Sequence, residues 1–162
     1  MDPTARTTFA DPDYLHAFER GGARGLKTSR GFRRGEVVCP IPRTVRRDRP
    51  TRLTVQVGED EHVEVGALTT LNHSCDPNVR LDTARMVVVA ERDIEPGEEL
   101  TFFYPSTEWE MAEPFACACG SPRCLGFVRG ARDLPEEVLD RYFVNAHIRR
   151  RVRGKAAGKA GG

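Results

Sequence analysis

Asn72-His73-Ser74-Cys75-Asp76-Pro77-Asn78 follows directly on the apolar positions Leu68 and Leu71. A lone histidine most often ends as a satisfied surface residue. Here Asn72, His73, Ser74 and Asn78 crowd hydrogen-bonding side chains into a segment whose apolar lead-in carries it toward the interior, where polar groups need partners. A polar ligand with amine, carboxylate and purine groups would supply them. Cys75, in the same proline-bounded loop, connects this segment to a second one further along the chain.

That second segment is Cys117-Ala118-Cys119 followed by Cys124, three soft ligands within eight residues, with Gly120 and Pro122 bending the chain between them. Three thiolates leave a tetrahedral zinc site one ligand short. Cys39 sits in an apolar strand, where a free cysteine behaves as a small hydrophobe; Cys75, in a polar loop, is the better fourth ligand. Four thiolates leave no open position for water, so such a zinc is structural and clips the C-terminal segment onto the Cys75 loop. The competing reading is a set of intracellular thiols or a redox pair, but C-x-C-x4-C suits a zinc knuckle better than the C-x-x-C of redox motifs.

The remaining elements are short strands between glycine turns, the mark of a mainly β protein. Gly21, Gly22 and Gly25 surround Arg24 in a tight turn, and Gly31 and Gly35 precede the strand Val37-Val38-Cys39. Leu53, Val55 and Val57 alternate with polar residues, then Val63 and Val65 after the turn Gly58 to Glu61, which predicts a hairpin. Met86 to Ala90 reads as a buried strand, and Glu95-Pro96-Gly97 turns the chain into a strand ending at Tyr104. One helix is predicted late. Asp133-Leu134-Pro135-Glu136 resembles an N-terminal cap, and Leu134, Val138, Leu139, Tyr142 and Phe143 recur at helical spacing.

Together, Asn72-His73-Ser74-Cys75, Gly97-Glu98-Glu99-Leu100-Thr101-Phe102-Phe103-Tyr104 and the cysteine triplet resemble the core of a SET-domain lysine methyltransferase. Gly25-Leu26-Lys27-Thr28-Ser29-Arg30 and Arg34-Gly35-Glu36-Val37-Val38 look like that family's opening, and the resemblance covers roughly residues 17 to 130. It implies a mainly β fold of the SET (β-clip) type with a pseudoknot, a small post-SET zinc knuckle and a C-terminal helix. It further implies S-adenosyl-L-methionine as cofactor, contacted by Arg24, Gly25, Leu26, Asn72, His73, Tyr104 and Leu125. Tyr104 is then catalytic, Phe102 and Trp109 line the substrate channel, and Cys75, Cys117, Cys119 and Cys124 hold a structural zinc. Phe102 stands where the family has phenylalanine or tyrosine, and phenylalanine implies di- or trimethylation. Three positions depart from the pattern: Thr69-Thr70-Leu71 replaces Arg-Phe-x, Ala23 stands at the first glycine of Gly-x-Gly, and the insert between Pro50 and Val65 is short.

Methyl transfer from a sulfonium to an amine is a direct displacement, so positioning and exclusion of water carry most of the catalysis. The amine must be neutral, against an unperturbed lysine pKa of ~10.4. A lysine in a protein or peptide is the expected substrate. The shrunken insert also admits a small-molecule amine or the chain's own Lys155 or Lys159, and a catalytically silent binding module is the rival from another class. Glu59, Asp60, Glu61, Glu108, Glu110 and Glu113 form an acidic set that could attract a basic peptide, although a solvated face is the default.

The 25 basic and 24 acidic residues nearly cancel, so no overall field points to nucleic acid or to a membrane. No apolar run approaches the ~20 residues of a membrane span and the N-terminus lacks a signal core. The expectation is an intracellular, cytoplasmic protein. Its expected divisions are a flexible arm over 1–13, the SET domain over 14–112, the zinc segment over 113–130, the helix over 131–150 and a disordered basic tail over 151–162.

Overall fold

The computed structural model describes residues 11–160; the expected N-terminal arm lies almost wholly outside the described residues, as do the last two residues of the tail. The described chain opens with the antiparallel hairpin of β1 (Leu15–Arg20) and β2 (Ala23–Thr28). Its two-residue turn needs positive φ twice, and Gly21 (+58°) and Gly22 (+81°) supply it. Gly25 is not part of that turn. It lies in β2, where a Cβ would come within 2.7 Å of the Phe18 ring and the Glu99 carboxylate, so glycine is required there by close packing.

Two three-stranded antiparallel sheets follow. In one, β3 (Val37–Pro40) and β8 (Val79–Asp82) flank β9 (Val87–Ala90). In the other, β4 (Arg46–Arg47) and β5 (Thr54–Gln56) flank β6 (His62–Glu64), with Val55 opposite Val63 as the alternation predicts. Val88 and Leu81 are completely buried and, with Leu26, Val38, Leu71 and Leu100, build the main core. Cys39 belongs to this core, and burial pushes its thiol up to about 12.

The link that decides the site is parallel: β7 (Asn72–His73) pairs with β10 (Thr101–Phe102). Ser74 N–H donates to Phe102 O and Asn78 N–H to Thr101 O, so the whole Asn72–Asn78 loop is laced to the later strand. The predicted strand ends two residues earlier than expected. Tyr104–Ser106 form a 3-10 turn with Pro105 in its first turn, since proline has no N–H to continue a ladder.

The C-terminal region differs most from expectation. The hairpin of β11 (Phe115–Ala116) and β12 (Phe127–Val128) carries the cysteine loop. A 3-10 turn (Ala131–Asp133) and a one-turn α1 (Glu136–Leu139) then take the place of the helix predicted over 131–150, and Pro135 at the N-cap makes no side-chain cap. The long helix is α2 (Ala146–Ala160), so residues 151–160 of the supposed disordered tail are helical. Ile148 is fully buried and Val152 nearly so, forming a second core with Phe103, Ala131 and Leu139. Burying one such side chain stabilises by about 2–3 kcal/mol, which the periodicity of 134–143 could not reveal because the anchoring residues lie beyond it. Among the described residues no helix is long and apolar enough to cross a membrane.

Candidate active site

The end of β10 delivers Phe102, and the turn that follows it delivers Phe103 and Tyr104. The Phe102 and Tyr104 rings lie together, centroids 4.7 Å apart, while Phe103 turns the other way and stacks on Tyr142. Tyr104 also meets the edge of Phe115, and its hydroxyl donates to Leu71 O at 2.5 Å. Burial, reinforced by Glu108 and Glu99, pushes its pKa up to about 12. The phenol is therefore protonated at neutral pH: it can donate, orient and accept through its lone pairs, but it is not a base.

His73 is enclosed by Phe103, Tyr104 and Phe115. Its Nδ1 accepts the Tyr104 N–H at 3.1 Å and its Nε2 lies 3.3 Å from Cys75 Sγ. Burial lowers its pKa to about 4, so the ring is neutral and carries its proton on Nε2, directed at the sulfur. The side chain supports Tyr104 and Cys75 and leaves only its backbone to meet a ligand.

Asn72 spends its amide N–H groups on Arg24 O (2.7 Å) and Glu99 Oε1 (2.8 Å), and among the described residues its Oδ1 accepts nothing. An acceptor beside a carboxylate suits an ammonium group, which fits the amine of an amino-acid cofactor. Arg24 is placed here through its carbonyl. Leu26 has its side chain wholly in the core and its carbonyl taken by Leu100 N–H. Asn78, buried, fixes β10 from below by accepting Thr101 N–H and donating to Glu99 O.

The four sulfurs of Cys75, Cys117, Cys119 and Cys124 lie within 4.8 Å of one another, Cys75 and Cys117 being 4.0 Å apart. Tetrahedral Zn–S bonds of ~2.3 Å require sulfur separations of about 3.8 Å, so the donor set fits zinc in number, softness and spacing. Burial pushes Cys75 up to about 12 and Cys117 to about 11. At Cys119 burial acts the same way, but N–H groups of Cys75 and Ser121 and the thiols of Cys117 and Cys124 outweigh it and bring it down to about 7. A divalent cation is what would hold all four as thiolates. Leu125 N–H donates to Cys75 Sγ, fixing Leu125 against the same loop.

Trp109 stands apart from the Phe102–Tyr104 pair. Its ring packs on the second core, with the Arg151 guanidinium 5.8 Å from its centroid. Glu108, counted by sequence among surface acids, is buried and accepts Gln56 N–H at 2.9 Å. Burial raises its pKa to about 7. Asn145 was also not foreseen. Fully buried, it accepts from Thr83 N–H and donates to Leu81 O and Ser106 O, tying the β8–β9 turn and the Tyr104–Ser106 turn to the start of α2. The Val144-Asn145-Ala146 context carries no signal for that role.

The model of the SET domain family matches residues 23–105. Methyltransferase flvH of Aspergillus flavus is 40% identical over 124 residues, covering 75% of this chain and 70% of that protein. A histone-lysine N-methyltransferase specific for H3 lysine 36 from Aspergillus oryzae is 46% identical over 65 residues, which are 36% of this chain and 7% of the larger protein. Among solved structures, KRYPTONITE in complex with mCHG DNA and SAH aligns with a TM-score of 0.57 at 22% identity, over 70% of this chain and 28% of that one. That likeness carries the fold alone.

Proposed function

The chain belongs to the SET domain family of methyltransferases, and from that premise we propose that it transfers methyl groups from S-adenosylmethionine to a lysine ε-amine. The observation that carries the reading is the parallel pairing of β7 with β10, which sets Tyr104 beside the Asn72–His73 segment and walls it with Phe102 and Phe115. The cofactor supplies an electrophilic methyl on a sulfonium. Asn72 Oδ1 and the Arg24–Gly25 backbone are the groups that would hold it, with Leu125 closing over it from the cysteine loop. Tyr104, its proton committed to Leu71 O, turns its lone pairs to the incoming amine and aligns it, while the surrounding rings keep water out. The amine arrives neutral, its proton having passed to water.

Cys75, Cys117, Cys119 and Cys124 would hold a zinc that fastens the β11–β12 hairpin to this loop, and with four thiolates it would offer no open position for the transfer. Phe102 presents no hydroxyl beside Tyr104, leaving a methylated amine one fewer polar anchor and more room to rotate. The expected end product is di- or trimethyllysine. A lysine in a protein is supported by the likeness, over 65 residues, to a histone-lysine N-methyltransferase specific for H3 lysine 36.

A small-molecule amine is the second reading. It is favoured by the short three-stranded sheet of β4, β6 and β5, which leaves little wall for a peptide groove. Calorimetric titration with S-adenosylmethionine tests the shared premise, with one site per chain expected. Mass spectrometry after exhaustive reaction with lysine peptides and free diamines then separates the substrates. Methylation of diamines alone would remove the protein-lysine reading, and monomethyl product alone would remove the assignment of Phe102.

A further inference from the structure

Phe103, the residue after β10, lines a cavity and stacks on Tyr142, whereas the Tyr104 ring lies with Phe102 and is not part of that lining. The volume of the cavity is about 290 Å³, near the lower end of small-ligand sites. Five arginines line it, Arg34, Arg80, Arg92, Arg123 and Arg141, against two carboxylate residues, Asp76 and Glu91. Three of the arginines have carboxylate partners, Arg80 with Glu91 (2.7 Å), Arg92 with Glu98 (3.1 Å) and Arg123 with Asp76 (3.9 Å). Among the described residues, Arg34 and Arg141 have none within 4 Å. The cavity therefore holds an excess of fixed positive charge in a half-enclosed space.

Two further observations point to a missing ligand. Ser106, 2% exposed and on the cavity wall, has a buried hydroxyl with no hydrogen-bond partner, and so has the buried Nε of Arg80. Buried polar groups left unpaired are rare and costly, and an anion accepts from both a hydroxyl and a guanidinium. The third wall is aromatic. The Arg80 guanidinium lies 4.9 Å from the centre of the exposed Phe143 ring, and Tyr142 lies flat on Phe103.

We propose that this cavity is a binding site for a small phosphate-bearing anion, separate from the methyl-transfer site. Planar guanidinium forks bind phosphate oxygens bidentately, and a tetrahedral anion can engage several of them at once. The source is either free inorganic phosphate or a phosphomonoester whose organic part rests on Phe143 and Tyr142. Occupancy reaches the methyl-transfer site from behind, since the Tyr142 hydroxyl donates to Cys75 O at 2.7 Å.

The test is calorimetric titration of the zinc-replete full chain with inorganic phosphate and with adenosine 5′-monophosphate, at constant ionic strength in chloride. The expected result is one saturable site, weakened roughly 10-fold by Arg141→Ala and also weakened by Ser106→Ala. Arg129→Ala, whose guanidinium lies over Phe127 elsewhere, leaves binding unchanged. Tighter binding of the nucleotide supports a phosphomonoester and equal binding supports free phosphate. Absence of saturable binding for both probes, or equal losses from Arg141→Ala and Arg129→Ala, overturns the proposal.

Discussion

The backbone N–H of Tyr104 donates to Nδ1 of His73, and the opposite nitrogen of the same ring lies 3.3 Å from Cys75 Sγ. One imidazole thus couples the position of the candidate catalytic phenol to a candidate zinc ligand. Replacing His73 by leucine removes both contacts while keeping an apolar filling. We expect zinc affinity to fall about 10- to 100-fold, as for other losses of a partner to a metal ligand, together with a lower kcat. Zinc competition with a chromogenic chelator reads the first effect; unaltered affinity would detach His73 from the metal site.

Tyr104→Phe keeps the ring packed against Phe102 and Phe115 and removes only the hydroxyl bonded to Leu71 O. The expected loss is about 10²-fold in kcat, in the range seen when one positioned polar group is deleted from a reaction centre. Cofactor affinity measured by titration should change little. A variant with full activity would take Tyr104 out of the mechanism.

Glu108 gives the fold a pH dependence of unusual sign for a carboxylate. Its folded-state pKa is raised to about 7 by burial, so between the ordinary carboxylate value and pH 7 the native state binds more protons than the unfolded chain. Stability from this group is therefore greatest at low pH and declines as pH rises through that window, by on the order of 3 kcal/mol. Glu108→Gln keeps an acceptor for Gln56 N–H and removes the titration. In urea unfolding, the variant should gain on the parent protein between pH 5 and pH 8; parallel curves would contradict the buried charge.

Zinc removal should loosen one part of the molecule and spare another. The β11–β12 hairpin has two residue pairs of its own, whereas the sheets around Val88 and Leu81 rest on a closed apolar core. With chelator, hydrogen exchange is expected to rise across residues 115–128 and to change little in β8 and β9. Uniform protection with and without chelator would exclude a structural metal.

The end of α2 separates packing from mere helicity. Residues 153–159 are exposed, while Ile148 and Val152 are buried. A chain ending at Arg153 should retain its melting temperature within a few degrees, whereas Ile148→Ala should cost about 2–5 kcal/mol. Equal effects of the two changes would mean that α2 is not anchored through its first two turns.

The sequence by itself carried the local chemistry. The spacing of Cys117, Cys119 and Cys124, the alternation through Val55 and Val63, and the make-up of the Asn72–Asn78 and Gly97–Tyr104 segments are properties of neighbouring residues. Strand period, turn chemistry and ligand count operate over a few positions, so they are written in the chain and the structure repeats them. Tertiary structure decided whatever depends on residues far apart. It buried Glu108 against Gln56, turned Asn145 into a hub for Thr83, Leu81 and Ser106, and gave the His73 ring two partners within the protein. It also placed the helix over 146–160, because Ile148 and Val152 find apolar partners in Phe103 and Leu139 that no local periodicity announces. The arginine cavity behind β10 is of the same kind: its guanidinium groups come from positions 34, 80, 92, 123 and 141, and only the closed fold brings them together.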